Sequence, residues 1–365
     1  MHLTELDRFV PGLTGCYQKV VRDEGSVDRI HLGPVHAQDL EHRFAVLRKA
    51  GVRTHPLASR PSKANAADLA RPYSAGNSVR DWLTTLPNLL GAADLKAVVE
   101  AIGRAHATRH GILWGLGAHV IKTGVGPVLI DLMQRGYVSA IAANGATVIH
   151  DFELALAGAT SEEVDESLGP GRFGMAEETG RLLNEAINEG VARGLGLGQS
   201  ICAWLGAAGP PYGHLSVLAA ASRLDVPVSV HVGIGTDIIH MHPSASGAAL
   251  GEGSLKDFRY LVSNVSRLEE GVYLNCGSAV ILPEAFLKAV ALVRNHGATL
   301  AGLTTVDLDF IRQYRPHANV VSRPVAGVGR GYSLVGHHEI LIPLIAAALI
   351  DAERGGARSG PKPEA

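Results

Sequence analysis

The chain has 365 residues, 46% of them hydrophobic, with 43 glycines, 5% aromatic residues and a formal charge of −2. That length can bury a large core as one domain or two. A near-neutral balance with no basic run gives no electrostatic case for a nucleic-acid partner or an anionic membrane surface.

In chain order, residues 1–78 read as an N-terminal extension. They hold a helical stretch around Gln38–Ala50 and a polar, proline-containing segment from Thr54 to Pro72. The opening Met1-His-Leu-Thr-Glu-Leu-Asp lacks the regions of a signal peptide, and Cys16, Cys202 and Cys276 share no metal or redox spacing, so the reducing cytoplasm is the expected compartment. Residues 79–352 are more regular. Helical spacing of apolar residues predicts helices at Asp94–Arg109, Gly126–Arg135, Ala176–Arg193, His214–Ser222, Leu255–Leu268, Pro283–Asn295 and Glu339–Ala352. Short apolar runs predict strands at Tyr137–Ala143, Val226–Val232, Val272–Leu274 and Thr299–Thr304. The apolar run Ile340–Ile350 is too short to span a bilayer, and residues 353–365, rich in Gly, Pro and charge, read as a disordered tail.

Alternating strands and helices imply an α/β fold, a Rossmann-like and mainly parallel sheet with helices on both faces. A polar cluster follows each predicted strand, with glycine in the first three: Asn144-Gly145, Gly233-Ile-Gly-Thr-Asp237, Asn275-Cys-Gly277 and Thr305-Val-Asp307. In open α/β sheets the carboxyl edge of the strands is where ligands bind, so these clusters are expected to share one crevice.

With these motifs in hand, the chain from about Asp81 to Ala352 resembles the deoxyhypusine synthase family. The matching stretches are Ala118-His119-Val-Ile-Lys122-Thr123-Gly124, Asn144-Gly145-Ala146-Thr147-Val148-Ile149-His150-Asp151, Thr236-Asp237, Asn275-Cys276-Gly277 and Gly336-His337-His338. The resemblance implies a Rossmann-like fold, a homotetramer and NAD at subunit interfaces. It assigns cofactor contacts to His119, Lys122, Thr123, Asn144, Gly145, Ala146, His150, Asp151, Asp237, Cys276, Gly277, His337 and His338. It assigns substrate contacts to His242, Asp307, Asp309 and Arg315. The family's nucleophilic lysine, however, falls at or beside Pro324, and the neighbouring Arg323 cannot replace it because a guanidinium stays protonated. The activity implied is therefore NAD-dependent chemistry on another small amine or alcohol, with transfer or elimination of a group and no authentic deoxyhypusine synthesis.

Lys122 is then a replacement nucleophile or a cofactor contact, and His150 and His240 are proton-transfer candidates. His150-Asp151 reads either as an acid–base dyad or as a nucleotide contact beside an aspartate capping a helix from Phe152. His231, Asp237, His240 and His242 form the densest histidine group. They leave open a metal-dependent enzyme, and a non-catalytic nucleotide-binding homologue is the third reading. Glu177 and Glu178 are most simply first-turn helix acids.

Overall fold

The structure is a computed structural model that describes residues 17–21, 27–31 and 53–357, with backbone alone at 17–21, 27–31 and 354–357. The chain divides into a unit of residues 1–63 and a unit of residues 64–365. In the first, β1 (Tyr17–Val21) pairs antiparallel with β2 (Val27–His31). The helix expected at Gln38–Ala50 lies outside the described residues.

The second unit is built on β3 (Ile112–Leu116), β4 (Ala140–Asn144), β5 (Val228–His231), β6 (Val272–Cys276), β7 (Thr304–Asp309) and β8 (Arg330–Val335). They form one sheet in the order β5-β4-β3-β6-β7-β8, and every neighbouring pair is parallel. This is the α/β, Rossmann-like architecture the alternation implied. Strand alternation divides the core in two. Ile112, Trp114, Ile141 and Leu274 pack with Ile102, Leu129, Phe152 and Ile345 from one helical layer. Leu113, Ala140, Ala142 and Tyr273 face the opposite layer, with Leu261, Phe286 and Val290. Since both faces are covered, the strands read as apolar runs and not as alternations.

Most predicted helices are present with shifted ends, including Leu90–Ala107, Gly126–Gln134, Glu177–Ala192 and Ile281–Asn295. The helix placed at Leu255–Leu268 runs earlier, Gly247–Val265, and Leu197–Ala208 is a further helix. The last helix, His338–Ala357, continues beyond residue 352, so the tail begins later than expected. Two strands of this sheet, like β1 and β2 of the first unit, were absent from the sequence reading. One of them, β3, is central to the sheet. The fourth predicted strand was also misplaced: Leu300 has a positive φ of 55° in a turn, and the strand starts only at Thr304.

Candidate functional site

The helix Gly145–Ala157 starts directly from the end of β4, so the expected start at Phe152 is corrected by seven residues. Asn144 caps it: its Oδ1 accepts the Thr147 amide at 2.9 Å and lies 2.7 Å from the Thr147 hydroxyl. Asn144 therefore serves the helix start. Beside it stands Asp237, carried in by the turn after β5, where Thr236 is tied to the Gly233 carbonyl. A Cβ on residue 145 would lie 2.1 Å from Asp237 Oδ2, so glycine is what lets the carboxylate reach the helix start. Asp237 is 8% exposed and its Oδ2 has no hydrogen-bond partner among the described residues. Burial raises its pKa, with His240 pulling the other way.

These groups meet at a cavity of about 210 Å³ lined by Lys122, Ala146, His150, Glu153, Thr236 and Asp237, among others. Lys122 comes from the short helix Ala118–Lys122 after β3 and makes no ion pair or hydrogen bond among the described residues. His150 is five residues along from Gly145. Its Nδ1 lies 2.7 Å from Thr160 Oγ1, and the Thr160 hydroxyl donates to Glu153 Oε2 at 2.5 Å. Thr179 donates to the other carboxylate oxygen at 3.1 Å. Burial works against the Glu153 anion, but the nearby His150 ring and the bonds from Thr160 and Thr179 outweigh it and its pKa is lowered.

The partner of His150 is thus Glu153 through Thr160, and not Asp151. Sequence reasoning missed Glu153 and Thr160. The i, i+3 spacing of His150 and Glu153 puts them on one helix face, which was a usable signal. Thr160 was not legible, because it arrives only after the chain turns back at Gly158, whose φ is 68°. Asp151, one residue on from His150, points the other way. It is buried, and its carboxylate accepts from Ser216 Oγ (2.5 Å), Val217 N (2.7 Å) and Leu218 N (3.0 Å). It closes the start of the helix Val217–Arg223 and is a structural group, which corrects both roles proposed for it.

The other expected residues lie elsewhere on the strand edge. Strand order reverses between β3 and β6, the topological switch point of the sheet. There the Gly117 amide donates to the Cys276 carbonyl at 2.8 Å, and a Cβ at Gly117 would fall 2.3 Å from the Gly277 carbonyl. The two turns abut. His338, fully buried, fills the remaining space and donates from Nε2 to the Leu308 carbonyl at 3.0 Å. His119 stands next to it, with ring centroids 5.6 Å apart, and Phe310 lies between the exposed His119 and His337. The strand tips share one edge of the sheet but split into two groups, a correction to the single crevice expected.

Four further expectations change. Cys276 turns its thiol into the core, where burial pushes the pKa far up. Thr123 turns its hydroxyl to the Val120 carbonyl. Asp307 and Asp309 are buried in β7 and not in a loop: Asp307 accepts from Asn275 Nδ2 at 2.8 Å, and Asp309 from the Phe310 amide at 2.8 Å. Arg315 pairs with Glu284 at 3.3 Å. The proposed metal group also comes apart. His231 bonds Ser229 Oγ at 3.1 Å, and His242 is held by Ser244 (2.7 Å) and Glu177 (3.3 Å). His240 accepts the Gly235 amide at 3.1 Å, leaving its buried Nε2 without a partner. Among the described residues, no three His, Cys, Asp or Glu converge as metal ligands. At the family's lysine position, Pro324 is buried with its carbonyl accepting from Arg294 at 2.6 Å, and Arg323 donates to Asn319 at 2.7 Å.

No helix among the described residues is long and apolar enough to cross a membrane. No family model matches the chain, and no curated protein matches it in sequence. Among solved structures it is similar to the ternary complex of AgrE with ornithine and NAD+, at 17% identity and a TM-score of 0.49, over 72% of this chain and 34% of that one. It is also similar to apo ArgZ, an arginine dihydrolase from the ornithine–ammonia cycle in cyanobacteria, at 16% identity and 0.46, over 73% and 34%. A deoxyhypusine synthase candidate from Entamoeba histolytica aligns at 11% identity and 0.45, over 77% and 96%. The chain spans about a third of the length of the first two, 34% in each case. Likeness at this level is one of architecture and assigns neither a ligand nor a reaction.

Proposed function

We propose that the chain is an NAD-dependent enzyme acting on a small amine or alcohol, with its reacting centre in the cavity beside the helix Gly145–Ala157. One observation carries this reading: a buried carboxylate oxygen of Asp237 without a donor, set against a helix start that glycine allows it to approach. Buried polar atoms are nearly always satisfied, and of those left without a partner among the described residues only this one belongs to a residue lining the cavity. A ribose diol supplies two hydroxyl donors of the kind a carboxylate takes up. Burial has already raised the free-acid tendency of Asp237, and donors from a ligand would restore the anion.

A cavity of about 210 Å³ lies below the usual range of about 300–1,000 Å³ for drug-sized ligands. It would take one end of the dinucleotide and a small substrate. His119, Gly277 and His337 sit along the same strand edge and are assigned to the other end. NAD, when bound, supplies a hydride acceptor; oxidation makes a neighbouring bond labile to transfer or elimination. Lys122, free of carboxylate partners, is assigned an anionic group of substrate or cofactor, and His150 moves protons. Because Pro324 and Arg323 stand at the lysine position, no aminobutyl transfer from spermidine is expected. The homotetramer implied by the resemblance and the cytoplasmic setting expected from the cysteine spacing belong to the same reading, and light scattering tests the first.

The deciding experiment is to denature the purified protein and read the released small molecules by absorbance and mass, then titrate NAD calorimetrically. NAD binding is expected, and Asp237→Asn is expected to weaken it by about 1.5–3 kcal/mol, the value of a charge-assisted contact. Undiminished affinity in the folded variant, or no dinucleotide binding at millimolar concentration, would overturn the assignment.

A further inference from the structure

We infer that His150 is held as the tautomer with hydrogen on Nδ1, leaving Nε2 as a bare base facing the cavity, and that Thr160 and Glu153 are the positioning residues that impose it. The inference rests on the functional reading above only for the substrate that the base would meet. It follows from counting donors. Glu153 is held as an anion by the hydroxyls of Thr160 and Thr179, and an ionised carboxylate can only accept. A threonine hydroxyl has one hydrogen, and in this structure it goes to Glu153 Oε2 at 2.5 Å. The Thr160 oxygen is thereby left as an acceptor, so the 2.7 Å contact to His150 Nδ1 requires the hydrogen on the ring. Direct contact between His150 Nδ1 and Glu153 Oε2 is 3.8 Å, too long to do this without the hydroxyl.

The other ring nitrogen is unconstrained. His150 Nε2 makes no hydrogen bond among the described residues, and the ring lines the cavity alongside Lys122 and Asp237. A neutral imidazole with hydrogen on Nδ1 offers the Nε2 lone pair as its only proton acceptor. The step it performs is a proton transfer: an O–H or N–H bond of the substrate breaks, its electron pair stays on the substrate atom, and an Nε2–H bond forms. The imidazolium so made is positive, and the Glu153 anion stabilises it through the Thr160 hydroxyl. The substrate class is a small molecule whose reacting carbon carries a hydroxyl or protonated amine.

The test reads the tautomer directly and needs no substrate. The full-length protein is labelled with ¹⁵N-histidine, the His150 resonances are assigned by their loss in His150→Gln, and spectra are recorded near pH 9, where a neutral ring is read. The expected pattern is hydrogen on Nδ1 in the wild type, a switch to hydrogen on Nε2 in Thr160→Val, and return to Nδ1 in Thr160→Ser. Hydrogen on Nε2 in the wild type would overturn the inference, as would an unchanged tautomer in a folded Thr160→Val. These spectra contain no dinucleotide. A protein that shows the Nδ1 tautomer and binds no NAD keeps this base and loses the cofactor assignment. One that binds NAD but shows the Nε2 tautomer loses only the base.

Discussion

At the scale of single residues, the candidate site depends on a missing side chain. Gly145 leaves room for Asp237 Oδ2, and a methyl group there would lie 2.1 Å from it. Alanine at the first helical position is otherwise favourable by about 0.5–1 kcal/mol over glycine. Gly145→Ala should therefore leave the urea midpoint within about 1 kcal/mol of wild type. It should weaken NAD binding at least about tenfold, or 1.4 kcal/mol, by turning the carboxylate away. If affinity survives the substitution intact, Asp237 is not the ribose contact. The residue scale also shows where adjacent residues part company. His150 and Asp151 are neighbours in sequence, yet one lines the cavity and the other is sealed in the core. Helical geometry separates such neighbours by about 100°, so the pair that works together is His150 with Glu153, one turn on.

At the scale of elements, two buried aspartates join one helix to the start of another, and one of them also reaches the sheet. Asp151, inside one helix, accepts the first amides of Val217–Arg223, where Ser216 is also the cap and accepts the Ala219 amide at 2.9 Å. Asp257 plays the same part at the start of Leu197–Ala208, accepting Gly198 N at 2.8 Å and Val230 N of β5 at 2.7 Å. Asp151→Ala would leave two buried amides and a hydroxyl without an acceptor, at about 1–3 kcal/mol each before relaxation. A loss of about 2–4 kcal/mol in urea unfolding is expected, with NAD affinity unchanged in the folded fraction. A stable variant with weakened NAD binding would restore Asp151 to the nucleotide. Elements also mark the reach of the sequence. Helices such as Glu177–Ala192 repeat their apolar face over several turns and could be read from spacing. The strand β3 has five residues with a glycine among them, and β8 is exposed at both ends and fully buried only at Leu334. β3 still has the apolar run of a buried strand, whereas β8 carries no pattern that distinguishes it from a loop.

For the whole molecule, the buried charges predict how stability varies with pH. Burial pushes Asp257 up to about 7 and Asp151 and Asp307 up to about 6, and pushes His231 down to about 4. A raised carboxylate means the folded state takes up a proton that the unfolded chain still lacks, so these three aspartates favour folding increasingly as pH falls through 7 and 6. His231 opposes them. Its unfolded imidazole protonates near 6.5 while the buried ring stays neutral, so its contribution is lost as pH falls below that value. The three carboxylates outweigh the one histidine, and the urea midpoint is expected to rise by about 1 kcal/mol between pH 8 and pH 6. A flat or falling midpoint over that range would show that the burial of these groups is misread.

What the sequence by itself determined was the class of fold and which polar turns lie along the carboxyl edge of its sheet. Apolar runs, helical spacing and glycine-bearing turns are local, and they express the need to bury one face of each element whatever its neighbours are. What only the tertiary structure decided was which polar residues meet. Lys122, His150, Glu153 and Asp237 come from three strand ends and were separable from Cys276, Asp307 or His242 only by seeing which side chains already had partners. A hydrogen bond across 26 residues or an orphaned oxygen leaves no trace in spacing, because it depends on where separate segments of the chain come to lie.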